Sequence, residues 1–160
     1  MSIITKRGDC GTTELISESV KKTDCRLELI GTVDEVIAIL SIANSLIENN
    51  KKYVEEITIC QEALYRFNAQ ISGAEFMDLT KFNEYFEESV CKNESINFRF
   101  SFTNTKIGSV IDYARAVVRR AERCFYKTDC DREDLKIFMN MISDYLYVLS
   151  RMIDSEELKC

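Results

Sequence analysis

Histidine and proline are absent from this chain of 160 residues, and glycine occurs only five times. Without histidine, His-dependent zinc sites, Ser-His-Asp triads and imidazole general bases are all excluded. Without proline, and with few glycines, long helices have few breakers. Long apolar runs are also missing. The most apolar stretch, VIAILSIANSLI (36–47), is interrupted by Ser41, Asn44 and Ser45, and it is short of the ~20 residues a membrane helix needs. The opening MSIITKRGDCG has no apolar core of a secretory signal. The expectation is a cytoplasmic protein with no membrane partner. The seven cysteines are odd in number, irregular in spacing and contain no CxxC, which reads as reduced thiols rather than a disulfide framework. A net charge of −6 argues against a general nucleic-acid binder.

What is present is a helical pattern. Hydrophobic content of 46% and charged content of 30% suit one globular domain over 1–160 with a sizeable core. Residues 1–31 hold three of the glycines and no helical period, so they read as an irregular segment with room for a short strand or hairpin. Thr32 reads as an N-cap, with Asp34 and Glu35 in the first turn of a helix that runs to about Glu48. Val54, Ile57, Cys60, Leu64, Phe67, Ile71 and Ala74 step by three and four, predicting a second helix over 52–76. A shorter third helix is expected over 79–90. The alternating Phe98, Phe100 and Phe102 suggest an extended segment at 95–105. Fourth and fifth helices follow over 107–126 and 131–154. The predicted class is an all-α, five-helix bundle, with the helices over 32–154.

The fourth helix carries four arginines within DYARAVVRRAERC (112–124). At about 100° per residue, Arg115, Arg119 and Glu122 lie within about 60° of one another, and Arg120 points further round. Two readings fit: a solvated basic face, or a polyanion site using the forked donors of arginine. The fifth helix aligns Asn140, Asp144, Tyr147 and Arg151 along one side. That line suits a surface face, a shared site or a subunit interface.

The opening TKRGDCGTTE (5–14) spends two glycines, Gly8 and Gly11, among threonines and basic residues. Glycine admits positive φ and close backbone approach, and successive N–H groups in such a turn can cradle an anion. A plain turn fits the local pattern too.

Four blocks together carry a resemblance: TKRGDCGTTEL, GTVDEV (31–36), ARAVVRRAERC and MNMISDYLYVLSR. In this order and spacing the chain resembles the PduO-type ATP:cob(I)alamin adenosyltransferases. The resemblance implies a trimeric five-helix bundle with active sites between subunits. It implies transfer of the 5′-deoxyadenosyl group of ATP to the cobalt of cob(I)alamin, with Mg2+ as cofactor and triphosphate as leaving group. It places Thr5, Lys6, Arg7, Gly8, Thr13 and Lys22 around ATP, with Arg119, Glu122 and Asn140. It pairs Asp34 with Arg115 across the subunit interface, and makes Arg119, Asp34 and Arg115 the residues that carry catalysis. A reductase and a cobalamin-dependent acceptor enzyme are the further partners implied.

The chain departs from the family pattern on the corrin side. Where the family has FxLPGG ahead of the fourth helix, this chain has FRFSFTNT. An ungapped count puts Arg99 in the corrin-facing slot; a shift of one residue puts Phe100 there, which is the expectation. The family's fourth-helix histidine is Asp112 here. A second reading follows from these departures: a catalytically weak protein of the same fold that binds, delivers or senses ATP or a cobalamin.

Overall fold

In the computed structural model, which describes residues 7–48, 50–93 and 102–158, the first long helix begins at Asp24. Asp24 is extended (φ −62°, ψ 130°), and its carboxylate accepts the Arg26 N–H at 2.9 Å. The same carboxylate grips the Arg26 guanidinium at 3.0 and 2.8 Å. These bonds hold the Asp24 carboxyl at about 2, with the Arg26 side chain as the leading cause.

Helix α1 therefore spans Cys25–Leu46, starting about two turns before the expected cap at Thr32. Thr32 is buried inside it, and its hydroxyl donates to the Glu28 carbonyl at 2.6 Å. Gly31 in a helix interior costs about 1 kcal/mol. Burial of Leu29, Val33, Val36, Ile39 and Leu40 outweighs it at roughly 1.5–3 kcal/mol per side chain.

Asn50 caps α2, Lys51–Ile71, by accepting the Tyr53 N–H at 3.4 Å. The expected run to residue 76 stops short because Gly73 takes a left-handed φ of 91°, which closes the helix. Bareness at Gly73 also matters. A Cβ there would lie 2.1 Å from Ser17 Oγ, so the glycine lets the N-terminal hairpin seat on the end of α2. That hairpin pairs β1, Thr12–Glu14, with β2, Ser19–Lys21, antiparallel, with Thr13 opposite Val20. Helices α3, Thr80–Lys92, α4, Lys106–Phe125, and α5, Glu133–Glu157, complete the bundle close to their expected bounds.

Helix α4 packs against both α1 and α5, while α2 lies on α1 and α3 on α5. The Phe67 ring sits 5.5 Å from Phe138 and 5.9 Å from Phe125, and Phe86 stacks 4.6 Å from Tyr145. A half-buried polar tie joins three helices beside these rings. Glu56 of α2 accepts both the Tyr85 hydroxyl of α3 and the Tyr145 hydroxyl of α5. Burial, and then the bond to Glu56, push the Tyr85 phenol up to about 12. Helix α1 is long and apolar enough to cross a membrane, with a mean hydropathy of 1.6. Here it is a bundle helix whose inner face is core, while Ala38, Ser41, Ile42 and Ser45 stay exposed.

Asp24→Ala should cost about 1 kcal/mol through the lost N-cap, and Asp24→Asn clearly less. Urea unfolding of both variants checks this; equal stability of wild type and alanine variant would remove Asp24 as the start signal.

Candidate functional site

Helices α4 and α5 run antiparallel, and three contacts fix their register. At one end Asp154 accepts the backbone N–H groups of Asn104 at 2.9 and 3.0 Å and of Thr105 at 2.9 Å. Two turns into α4, Asp112 lies 3.8 Å from Arg151. Further along, the Asp144 carboxyl feels the charge of Arg119. Extended by the same antiparallel register, Glu122 of α4 comes level with Asn140 of α5. The stripe expected from spacing on each helix is therefore one polar seam built from both.

The seam changes character along its length. Near the start of α4 it is half-buried. Asp112 accepts Arg115 Nε at 2.7 Å, and the Arg115 and Arg151 guanidiniums lie 6.0 and 4.7 Å from the Tyr147 ring. Beyond that point Arg119, Asp144 and Asn140 are exposed and Glu122 is half-buried. Partial desolvation by its packed surroundings pushes the Asp144 carboxyl up, against the pull of Arg119. Arg123 donates to the Arg119 carbonyl at 2.7 Å. Arg120, pointing away from the seam as the spacing predicts, pairs with Glu35 of α1, which also accepts the Tyr113 hydroxyl at 3.3 Å. Chemically, the open end of the seam offers guanidinium donors and an amide to an anionic, hydrogen-bonding ligand.

The N-terminal residues lie elsewhere. Arg7 and Gly8 open a 3-10 turn, Arg7–Cys10. Gly11 has the positive φ expected of it, 79°, and its carbonyl accepts the Lys22 N–H at 2.9 Å. Thr13 is half-buried on β1 and Lys22 is exposed just beyond β2. The hairpin is tied to the end of α2 through Ser17 N–H and Ser72 carbonyl at 3.3 Å. Thr5, Lys6, Phe98, Arg99 and Phe100 lie outside the described residues. Phe102 is 93% exposed.

Asp34 is exposed on α1 and accepts Asn68 Nδ2 at 2.8 Å. Arg115 is engaged by Asp112, so within one chain the two have different partners. A cavity of about 640 Å³ beside the hairpin is lined by Asp24, Arg26, Gln70, Thr128, Asp129 and Arg132. A second, also about 640 Å³, lies at the far end of the bundle by Tyr53, Ile107, Ile153, Glu156 and Glu157. Neither is lined by Arg119 or Asn140. Among the described residues no group of three or more acidic or cysteine side chains is placed to hold a metal.

The cobalamin adenosyltransferase family model matches residues 3–153. The chain belongs to this family. It is 28% identical over 173 residues to the corrinoid adenosyltransferase PduO of Salmonella typhimurium, covering 98% of this chain and 51% of that protein. It is 25% identical to the corrinoid adenosyltransferase of Bacillus subtilis, covering 97% and 88%. The chain thus spans about half the length of the PduO relatives it matches. Among solved structures it resembles a variant of the PduO-type adenosyltransferase from Lactobacillus reuteri complexed with ATP. There the TM-score is 0.88 at 25% identity, covering 98% of this chain and 96% of that one. A second variant of that protein, complexed with cobalamin and ATP, shares the fold with a TM-score of 0.85 at 23% identity, covering 98% and 93%.

Asp154 is the seam residue that spacing does not reveal. A carboxylate near a helix C-terminus opposes the helix dipole, and that misfit is the signal for a partner. Burial raises its pKa, but the Asn104 and Thr105 bonds and Arg151 outweigh this and hold it below its ordinary 3.8. The stabilisation is thus present above about pH 4 and lost as pH falls through the depressed value. Asp154→Asn should lower stability by about 1–3 kcal/mol at pH 7. The gap to wild type should close below pH 3.8, measured by urea unfolding across pH. A gap that is flat with pH would contradict the assignment.

Proposed function

We propose that this protein transfers the 5′-deoxyadenosyl group of ATP to the cobalt of cob(I)alamin. The reading rests on the family and on one observation: Arg119 presents an exposed guanidinium on a polar seam that ends in Asn140. In this reaction the cobalt electron pair forms the Co–C5′ bond. The C5′–O bond breaks, and its electron pair leaves on triphosphate. No protein nucleophile or base is required. What the protein must supply is position and neutralisation of the leaving charge, and a chain without histidine can do both.

Lys6 and the Gly8–Gly11 turn, with Thr5, Arg7, Thr13 and Lys22, hold the nucleotide from one side. Arg119, Glu122 and Asn140 hold it from the other. Magnesium fits as a phosphate-bound ion, because Mg2+ is commonly held by substrate phosphates and one or two carboxylates, and no larger acidic cluster is present among the described residues. Phe100 closes the lower corrin face. A reductase supplies the reduced corrinoid, and an adenosylcobalamin-dependent enzyme accepts the product in the cytoplasm.

The two halves of this site belong to neighbouring subunits of a homotrimer. Support comes from α1. It is apolar on most of its circumference, and such a helix is normally covered all round. Its exposed Ala38, Ile42 and Ser45 lie on the surface together with Asp34, the residue that in this reading pairs with Arg115 of a second copy.

Anaerobic incubation with cob(I)alamin, ATP and magnesium should yield the absorption of a cobalt–carbon bond. Nucleotide binding without that product would favour the delivery or sensing reading instead. Arg119→Ala should weaken ATP binding by about 1.5–3 kcal/mol, the scale of a charge-assisted hydrogen bond; unchanged affinity removes Arg119 from the site. Asp34→Arg should reduce both trimer content and activity, since it leaves like charges facing, and adding Arg115→Asp should restore part of each. A wild-type protein that sediments as a monomer would refute the assembly. Phe100→Ala should lower the yield of four-coordinate cob(II)alamin, read from its paramagnetic spectrum, with ATP affinity nearly intact.

A further inference from the structure

We infer that Asp112 is a positioning residue that orients Arg115 for its contact with a neighbouring subunit. The inference rests on the trimer reading above and adds to it a residue with no counterpart in the family pattern, which has histidine at this place.

The geometry is a carboxylate between two guanidiniums. Asp112 Oδ1 accepts Arg115 Nε at 2.7 Å and lies 3.8 Å from Arg151 Nη2. Both guanidiniums lean on Tyr147, at 6.0 and 4.7 Å from its ring. The two members are not equivalent. The Arg151 side chain is only 9% exposed, and its Nε and Nη1 are buried without hydrogen-bond partners. Its charge is shared between Asp112 and the buried Asp154, and burial restricts its movement. Arg115 sits nearer the surface, at 21%. Asp112 is therefore backed by a fixed cation and holds a more mobile one in front.

A guanidinium can be gripped along its Nε edge or across its two terminal nitrogens. Asp112 takes Nε. That leaves the terminal fork of Arg115 directed away from Asp112, the arrangement that accepts a second carboxylate head-on. Without Asp112, Arg115 and Arg151 would face one another across a single tyrosine ring with no anion between them. Arg115 would then turn away, and the fork would lose its aim. Arg119 lies one turn further along the same face, so the misalignment reaches the nucleotide side.

The test is a double-mutant cycle between Asp112→Ala and Arg115→Ala, read by sedimentation velocity over a concentration series and by steady-state kinetics in ATP. Asp112→Ala should raise the protein concentration at which trimers dissociate by about tenfold, and in the Arg115→Ala background it should add less than about twofold. The KM for ATP should rise by roughly five- to tenfold with kcat within about twofold, as for lost positioning of bound nucleotide. Asp112→Asn keeps an acceptor for Nε and should recover most of both effects. Should the alanine variant not fold, Asp112→Ser, too short to reach Nε, takes its place with the same expectations. A trimer equally tight or tighter in Asp112→Ala overturns the inference and leaves the trimer reading standing. So does an effect of the same size when Arg115 is already alanine. A monomeric wild type overturns both.

Discussion

The Asp154 carboxylate, buried near the end of α5, takes the amide hydrogens of Asn104 and Thr105 just before α4 begins. The first amides of any helix lack partners inside it, and the last turn of any helix is hostile to a negative charge. Here two misfits cancel: a carboxylate at the wrong end of one helix meets orphan donors at the start of the next. Thr105 adds its own side chain, accepting the Gly108 N–H at 3.1 Å. Gly108 is bare because a Cβ would come within 2.8 Å of Asp154 Oδ1. The start of α4 is thus pinned to one place on α5. From that pin the antiparallel register follows, and with it the facing of Asp112 to Arg151 and of Arg119 to Asp144.

How much of this was legible in the sequence depends on how local each feature is. The extents of α3, α4 and α5 follow from spacing alone, because three-and-four periodicity needs only neighbours along the chain. The start of α1 does not. Its apolar residues lie on nearly all sides, so no stripe marks where the helix begins, and Gly31 looks like a boundary when it is an interior residue held by burial on either side. At the end of α2, Ala74 continues the period while Gly73 breaks the backbone; periodicity reports the side chains and misses the φ angle. For the site the division is the same. Arg115, Arg119 and Glu122 share a face by helix geometry, and so do Asn140 and Asp144. That those two faces meet is a fact of tertiary register. The Asn68–Asp34, Glu35–Arg120 and Asp154–Asn104 contacts join residues 34, 85 and 50 positions apart, and no local pattern contains them.

The two groups of residues proposed to hold the nucleotide lie apart within one chain. The hairpin with Gly11, Thr13 and Lys22 is anchored to the end of α2, and the arginine seam runs along α4 and α5. The cavity beside the hairpin holds Arg26 and Arg132, but both are already engaged, Arg26 by Asp24 and Glu18 and Arg132 by Asp134. They offer little to an added anion. Arg119 is the contrasting case: it is exposed, and among the described residues no hydrogen bond or ion pair holds its guanidinium as Asp24 and Asp134 hold those of Arg26 and Arg132.

The chemistry proposed needs little from any single side chain, and the composition is consistent with that economy. Displacement at C5′ by cobalt moves no proton, so the absence of histidine removes nothing the reaction uses. What such a step needs is a nucleotide held with its leaving group neutralised while a bulky nucleophile approaches from the opposite side. In the proposed assembly, a seam on one subunit and a glycine turn on its neighbour would meet that need together, each bringing donors to the phosphates. The same logic assigns different tolerances along α4. On the proposed reading Arg119 and Glu122 serve the ligand and must keep their chemistry. Asp112, Arg115 and Arg151 contact one another, so what matters there is charge balance and direction. A carboxylate in place of the family's histidine can be accommodated at that position because it comes with a buried guanidinium behind it.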